Sequence, residues 1–564
     1  MAEFRTCPDT GFKIDLNADK LIKWNAVTAV VFLLVGGLFG LLVALTRWPA
    51  VHLLDADLFY LALTAHGLDV LLVWCIFFEI ALLYFTSAIL LNARMVFPKI
   101  AWIGYWMMLI GAVITNIAVL RGDSSVMFTS YPPMMAAQDF YLGIILFAVG
   151  ALLGCLVFFA TLHMARKEKT YEGSIPLVTF GAMTAAIIAV FTILSGAIIL
   201  VPTWFWSLGL LSHIDTIMYR VIWWGMGHSS QQVNVAAQIA CWYAIAAILF
   251  GAKPLSEKVS RTAFLLYILF LQLASAHHLL VDPGLSSEYK IFNTSYALYL
   301  AVLGSMIHGL TVPGAIEAAQ RKKGLNKGLF EWLTKAPWGN PVFAGMALSV
   351  VLFGFLGGIS GVMMGTEQLN LITHNTIYVP GHFHGTVVVG TTLTFMAISY
   401  WIVPTLWQKE LVFPGLAKWQ PYLFGIGMGL AATFMMGAGT LGVPRRHWDM
   451  TFADSAMGYD FPAAANLMMG LNGVAAVMGS IGAAIFILNM VGTILWGKAK
   501  VPAAAAPAEE APAEPNVTGA ATSYGSAGTM EVPGTFVLAM IFLVSFVLYY
   551  FVNWKYLSSV WGLS

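Results

Sequence analysis

The chain has 564 residues, of which 59% are hydrophobic and 10% charged, and its mean hydropathy is +0.80. A soluble domain carries about 25% charge, so this composition excludes a soluble globular protein and implies a polytopic membrane protein. The net charge of +1, without a basic cluster, argues against nucleic acid as a partner. Cys7, Cys75, Cys155 and Cys241 are too scattered for a metal-ligand spacing or a disulfide framework.

The N-terminal stretch, with Arg5, Asp9, Lys13, Asp15 and Asp19, is polar and lacks the apolar centre of a cleavable signal, so the first span itself is expected to drive insertion. Apolar runs then predict thirteen spans, at 23–47, 57–92, 99–120, 138–164, 176–201, 216–250, 261–281, 291–316, 341–364, 378–404, 417–440, 462–496 and 533–555. Several exceed the ~20 residues needed to cross, so tilt is expected. The fold class is all-α integral membrane, a bundle of twelve core helices with a thirteenth at the C-terminus. Short connections make residues 1–498 one compact core. Residues 499–532 read as an Ala/Pro-rich linker and 533–564 as a C-terminal transmembrane helix packed at the periphery.

Basic residues set the orientation. Lys13, Lys20 and Lys23 precede the first span, and Arg94 and Lys99 follow the second. Arg166, Lys167 and Lys169 follow the fourth span, and Lys253, Lys258 and Arg261 the sixth. Arg321, Lys322, Lys323, Lys327 and Lys335 follow the eighth, Lys409 and Lys418 the tenth, and Lys498 and Lys500 the twelfth. All fall on one side, expected to be the cytoplasm of a prokaryotic cell with the protein in its inner (plasma) membrane and the N-terminus inside. Arg121, Arg445 and Arg446 fall on the outer side and need another reason to be there.

Six histidines lie at one level near that outer side: His66, His228, His277, His278, His382 and His384. The basic-residue count made no use of them. A lone intramembrane histidine serves equally well as a hydrogen-bonding group between helices. Six at one depth point instead to metal ligation, and imidazole suits iron and copper. His382 and His384 stand two residues apart, and at ~100° per residue such rings leave a helix on nearly opposite sides. They cannot easily bind one ion, but each can serve a different cofactor. Adjacent His277 and His278 can both reach one ion where a helix end loosens.

Specific stretches surround these histidines. They are Leu34-Val35-Gly36-Gly37-Leu38-Phe39-Gly40, Leu63-Thr64-Ala65-His66-Gly67, Tyr131-Pro132-Pro133, Asp282-Pro283-Gly284, His374-Asn375-Thr376, Val379-Pro380-Gly381-His382-Phe383-His384 and Val443-Pro444-Arg445-Arg446. Together they resemble the catalytic subunit (subunit I) of haem–copper oxidoreductases over about residues 20–496, in detail closest to the B-type, which commonly has a thirteenth helix. The resemblance implies roles. His66 and His384 are the axial ligands of a low-spin haem, expected to be haem b. His382 is the proximal ligand of a high-spin haem, of b or a type, and His228, His277 and His278 hold a copper (CuB). Arg445 and Arg446 clamp haem propionates, as guanidinium forks suit carboxylates, and His374 and Asn375 belong to the same layer.

The chain departs from the oxygen-reducing pattern, in which His-Pro-x-x-Tyr places a phenol four residues after the first copper ligand. Here the stretch is His228-Ser229-Ser230-Gln231-Gln232. Positions i and i+4 share a helix face, so Gln232 is expected to project towards the copper. A phenol supplies an electron and a proton for splitting O2, and an amide supplies neither. Reduction of two NO to N2O and water needs fewer electrons, so the expected activity is 2 NO + 2 e− + 2 H+ to N2O + H2O. The alternative is a terminal O2 reductase of the cytochrome c oxidase kind, and a remoter reading is a haem-based sensor or a transporter.

Aligned without gaps from the shared histidines, Ile239, Gly304 and Ile307 occupy positions where B-type oxidases carry a proton-conducting hydroxyl line, while Tyr243 is kept. That line is expected to be broken. Glu79, mid-way along the second span, serves either proton delivery or as a neutral structural carboxyl. Gln231 and Gln232 are expected to hydrogen-bond NO-derived oxygen or a site water, and Asn234 and Gln238 to join helices. The chain has no Cys-x-x-x-Cys copper motif or Cys-x-x-Cys-His haem attachment site. The resemblance therefore implies a subunit II-like partner carrying CuA or haem c, fed by a periplasmic cytochrome c or cupredoxin.

Overall fold

The computed structural model describes residues 3–271, 274–452, 456, 459–500 and 531–560. Their architecture is a helical bundle. In chain order it comprises α1 (Leu16–Thr46), α2 (Ala56–Ile89), α3 (Pro98–Leu120), α4 (Gln138–Lys167), α5 (Leu177–Ser207) and α6 (Thr216–Phe250). After α7 (Glu257–Leu266, continued by Tyr267–Leu271) come α8 (Ser287–Lys322), α9 (Pro341–Met364), α10 (Tyr378–Trp407), α11 (Pro414–Thr440), α12 (Ala463–Trp496) and α13 (Pro533–Val560). Twelve helices among the described residues are long and apolar enough to cross a membrane. With α7 they account for the thirteen expected spans. The linker expected at 499–532 lies almost wholly outside the described residues.

The helix ends differ from the apolar runs for local reasons. α1 begins at Leu16 rather than 23, because the Asp15 side chain accepts from the backbone N–H of Asn17 and Ala18. Asp19 then pairs with Arg5 at 3.0 Å and Lys23 at 2.8 Å, which lets a polar turn extend the apolar helix. α8 begins at Ser287, capped by Ser286. Pro98, Pro341 and Pro414 open their helices at positions that need no N–H donor. A short hairpin, β1 (Phe4–Thr6) and β2 (Lys13–Asp15), closes the face carrying the N-terminus, with Arg5 donating to the Leu406 carbonyl at 2.8 Å.

Two long π-helical stretches begin at or beside histidines. One covers Leu68–Val73, just after His66, and the other starts at His384 and runs to Thr392. Such insertions re-aim side chains and collect at functional sites. The expected α7 span of 261–281 does not close as an α-helix. His277 and His278 sit on a separate 3₁₀ turn, Ala276–His278.

α13 packs against the bundle. Phe542, Phe546 and Tyr550 lie on Ile359, Met363 and Leu369. Its N-terminus is pinned by the buried Glu317 carboxylate, which accepts from the N–H of Gly534 (3.0 Å) and Thr535 (2.6 Å) and pairs with Arg321 at 2.7 Å. The other face of α13 leaves Phe536, Ile541, Val544 and Leu548 exposed, as do the outer faces of the other peripheral helices, which suits lipid.

Candidate metal centre

His66 on α2 and His384 on α10 face each other, their ring centres 6.5 Å apart and their planes 25° from parallel. A metal–imidazole bond is about 2 Å and the ring centre lies about 1 Å beyond the nitrogen, so rings flanking one iron sit roughly 6 Å apart. The observed gap fits. His66 Nδ1 lies 2.9 Å from the Gly36 carbonyl and His384 Nδ1 2.8 Å from the Pro380 carbonyl. Those bonds orient the rings and leave Nε2 as the ligand atom on both. Gly36 and Gly40 of α1 make the approach possible. A Cβ on Gly40 would stand 2.6 Å from the His66 ring, and one on Gly36 2.7 Å from Asp69 Cβ.

His382 points the other way, as the two-residue spacing predicts. Its Nδ1 lies 2.9 Å from Ser360 Oγ on α9, and a Cβ on Gly361 would stand 3.0 Å from its ring. Phe383 lies between the sites, 6.0 Å from the His382 ring and 6.5 Å from that of His278.

His228, His277 and His278 converge, their ligand atoms all within 4.8 Å of one another and all three residues buried. His228 Nδ1 lies 3.1 Å from His278 Nε2, and the buried His277 Nδ1 has no hydrogen-bond partner among the described residues. Asn293 Oδ1 accepts from the Ala276 N–H at 2.7 Å and Asn370 donates to the His277 carbonyl at 3.2 Å, which holds the 3₁₀ turn in place. Three buried imidazoles with converging ligand atoms, that of His277 having an unmet Nδ1, fit a copper ion.

Gln232 reaches the cluster, its Nε2 lying 2.8 Å from His228 Nε2. Gln231 does not. Its amide donates to Ser230 Oγ at 3.3 Å and its Oε1 is buried without a partner among the described residues. Gln238 accepts from Thr391 at 2.9 Å and so joins α6 to α10. Tyr243 stands away from the histidines, in a buried group with Ser260 (3.0 Å) and His308 (2.9 Å). Nearby, Tyr267 bonds Ser305 at 2.8 Å, and Ile239 is fully buried. His308 is a buried polar residue that the sequence reading passes over.

A layer of cations covers the outer end. Arg445 donates to Asn375 Oδ1 at 3.0 Å, and its N–H to the Asn375 carbonyl at 2.9 Å. The Arg446 guanidinium lies 5.5 Å from the Tyr131 ring centre and that of Arg220 4.7 Å. Tyr131 accepts from Trp224 Nε1 at 2.7 Å, and Trp224 stacks on His278 at 3.6 Å, only 3° from parallel. Burial and the neighbouring Arg446 lower Arg445 to about 9. Burial and then Arg445, Arg220 and Arg446 lower His374 to about 4. Asp282 is the carboxylate in reach, 2.9 Å from Arg220 and 3.9 Å from His374. Half-buried cations outnumbering anions fit a site for carboxylate groups, such as haem propionates.

Two outer-side arginines are missed by the sequence reading, Arg220 and Arg47. Arg47 donates to the Pro444 carbonyl at 2.8 Å and also to that of His447, bracketing Arg445–Arg446. Arg47 just after the first apolar helix and Arg220 in the opening turns of the sixth were the available signals. Arg121 has a simpler explanation, ion pairs with Asp139 (2.7 Å) and Asp123 (2.9 Å).

A polytopic bundle that packs a facing histidine pair beside a three-histidine cluster, under a half-buried arginine layer, defines a membrane metalloprotein of electron-transfer type. The chain belongs to the family of Cytochrome C and Quinol oxidase polypeptide I, which residues 20–481 match. It is 31% identical to cytochrome c oxidase subunit 1 of Thermus thermophilus, over 86% of this chain and 87% of that one. It is 22% identical to quinol oxidase subunit 1 of Bacillus subtilis, over 74% and 64%. Among solved structures it is similar to a heme-copper terminal oxidase dimer, with a TM-score of 0.81, 27% identity and coverage of 86% and 85%. The chain is thus a multi-pass oxidoreductase subunit. Two haems and a copper are the family's cofactors, and the three-histidine cluster fits the copper.

Proposed function

We propose that the protein is the catalytic subunit of a membrane nitric oxide reductase built on a B-type haem–copper scaffold, with residues 1–498 as the catalytic unit. His66 and His384 hold the low-spin haem, His382 the high-spin haem, and His228, His277 and His278 the copper. When bound, these groups carry the electrons and take the gas. Arg445, Arg446, His374 and Asn375 receive propionates. A subunit II-like partner with CuA or haem c passes on electrons from a periplasmic cytochrome c or cupredoxin, and the N-terminus faces the cytoplasm.

The observation that carries this reading is the Gln232–His228 bond of 2.8 Å. It occupies the position where oxygen-reducing members resembled by this chain carry a phenol. The amide meets His228 at Nε2 and leaves Nδ1 facing His278 and the proposed metal position. It offers no oxidisable oxygen. The site thereby suits 2 NO + 2 e− + 2 H+ to N2O + H2O.

A second reading, a terminal O2 reductase, is favoured by the names of the relatives and by Tyr131. That phenol is joined through Trp224 to the His278 ring, so an oxidisable aromatic pair lies close to the metal cluster. Anaerobic N2O formation measured against O2 uptake on the purified protein separates the two. N2O production with slow O2 uptake supports the first reading, and rapid O2 uptake without N2O production overturns it. Gln232→Tyr is the companion variant, expected to raise O2 reactivity.

A further inference from the structure

Of the two buried glutamates, Glu79 lines an apolar cavity between α2, α4, α5 and α6 that borders none of the cluster histidines. Glu317 instead pins the start of α13, and α13 leads back to the metal centre, at His382. The seat of His382 is a weak piece of α9. Four glycines fall within eight residues there, Gly354, Gly357, Gly358 and Gly361, and Phe353–Gly358 is π-helical. Glycine holds a helix poorly, and π turns collect at functional sites. The glycines let α9 approach α10 closely. A Cβ on Gly357 would stand 2.8 Å from the Gly385 carbonyl, and one on Gly361 3.0 Å from the His382 ring. From this stretch Ser360 Oγ lies 2.9 Å from His382 Nδ1. Ser360 has a single proton, engaged by the carbonyls of Leu356 and Gly357. His382 Nδ1 therefore donates to Ser360, which leaves Nε2 as the free ring nitrogen. The position of α9 sets both the angle and the tautomer of this ring.

That stretch has α10 on one side and α13 on the other. Phe542, Phe546 and Tyr550 recur every four residues, so they share one face of α13. They pack on Ile359 and Met363, which lie either side of Ser360 in the chain. Phe542 also meets the Phe355 ring at 5.1 Å, and a Cβ on Gly354 would stand 3.3 Å from it. Beside Tyr550, the Tyr549 hydroxyl bonds that of Tyr378, a buried residue one turn before His382 on α10. Tyr378 in turn contacts Met363 Sδ through its hydroxyl, at 3.6 Å. α13 thus ties α9 to the first turn of α10 next to His382.

We infer that α13 is a working part of the high-spin haem site: its aromatic face backs the glycine-rich stretch of α9 against α10 and so fixes the His382 ring in the orientation a proximal ligand requires. The inference rests on the reading of His382 as that ligand. Phe542, Phe546 and Tyr549 are positioning residues, acting through Ser360 and Tyr378 rather than on the reacting atoms. Without their backing the soft stretch relaxes outward, Ser360 leaves His382 Nδ1, and the ring is free to turn. The low-spin pair is oriented separately, His66 by the Gly36 carbonyl and His384 by that of Pro380, so the effect falls on the high-spin haem.

The test uses the full haem- and copper-loaded complex. Phe542→Ala combined with Phe546→Ala removes two rings of the aromatic face, and Tyr549→Phe removes one hydroxyl. Leu548→Ala, on the exposed face of the same helix, is the control. Resonance Raman spectra of the reduced enzyme follow the iron–histidine stretching band of the high-spin haem, and pyridine haemochrome analysis counts the haems. The double variant is expected to keep both haems and to shift or broaden that band. Its gas turnover should fall about tenfold, the lower end of the loss when a ligand's hydrogen-bond partner goes. Tyr549→Phe should move the band the same way by less, and Phe546→Leu, which keeps apolar volume, should leave it in place. An unchanged band with wild-type turnover in the double variant overturns the proposal. If that variant fails to assemble, an unchanged band in Tyr549→Phe overturns it. An equal shift in Leu548→Ala overturns it too, because any damage to α13 would then suffice. A high-spin band that survives His382→Ala overturns only the assignment of His382 as the ligand.

Discussion

Gln232 Nε2 stands 2.8 Å from His228 Nε2, one helical turn along α6, so a neutral amide orients an imidazole of the three-histidine cluster. His228 Nδ1 is thereby presented to His278 Nε2, 3.1 Å away. Outer hydrogen bonds of this kind set tautomer and ring angle, and losing one typically costs about 10–100-fold in metal affinity or activity. Gln232→Ala is therefore expected to lower NO turnover by about that factor. Steady-state N2O formation, set against copper content per chain, checks it. Wild-type activity at full copper occupancy would remove the orienting role.

The facing pair His66 and His384 makes a sharp prediction about haem count. His66→Ala leaves a 6.5 Å gap with a single ring beside it, so it should remove the low-spin haem and spare the other. Pyridine haemochrome analysis should fall from two haems per chain towards one. CO should still bind the reduced high-spin haem, whose proposed ligand His382 is held separately by Ser360.

Removing the copper should stop gas turnover without touching either haem. His277→Ala takes one of three ligand sets from the cluster, and the remaining two imidazoles give an incomplete site. Copper per chain is expected to drop below about a tenth of wild type, with both haem spectra retained. Metal analysis beside optical spectra provides the check.

Arg47 holds the arginine layer from a distance. It binds the carbonyls of Pro444 and His447 on either side of Arg445–Arg446. Arg47→Ala leaves two acceptors unmet, a cost of about 3 kcal/mol. The expected result is a lower Tm and a shifted haem midpoint potential, as the proposed propionate partners Arg445 and Arg446 move. A lower Tm at constant potential would confine Arg47 to stability.

Glu317 anchors the last helix. Its carboxylate joins the N–H groups of Gly534 and Thr535 to Arg321. Glu317→Ala should cost about 3 kcal/mol, the effect of breaking a buried pair, and should speed hydrogen–deuterium exchange at the start of α13. Unchanged exchange at Gly534 and Thr535 would show that α13 is held by its side-chain packing on the bundle.

Much of this protein was legible in the linear chain, because hydropathy and helical period are local properties. Long apolar runs marked the spans, and the two-residue spacing put His382 and His384 on opposite sides of α10. The i, i+4 relation aimed Gln232 at His228. Tertiary structure alone decided which distant groups meet. His66 finds His384 because α2 packs beside α10, and Arg47 bonds carbonyls 397 and 400 residues away. The π-helical stretch starting at His384, the carboxylate of Glu317 under α13, and the enclosure of Glu79 and His308 belong to the same class. Each depends on which helices become neighbours, and that is a result of side-chain packing across the whole bundle rather than of any local pattern.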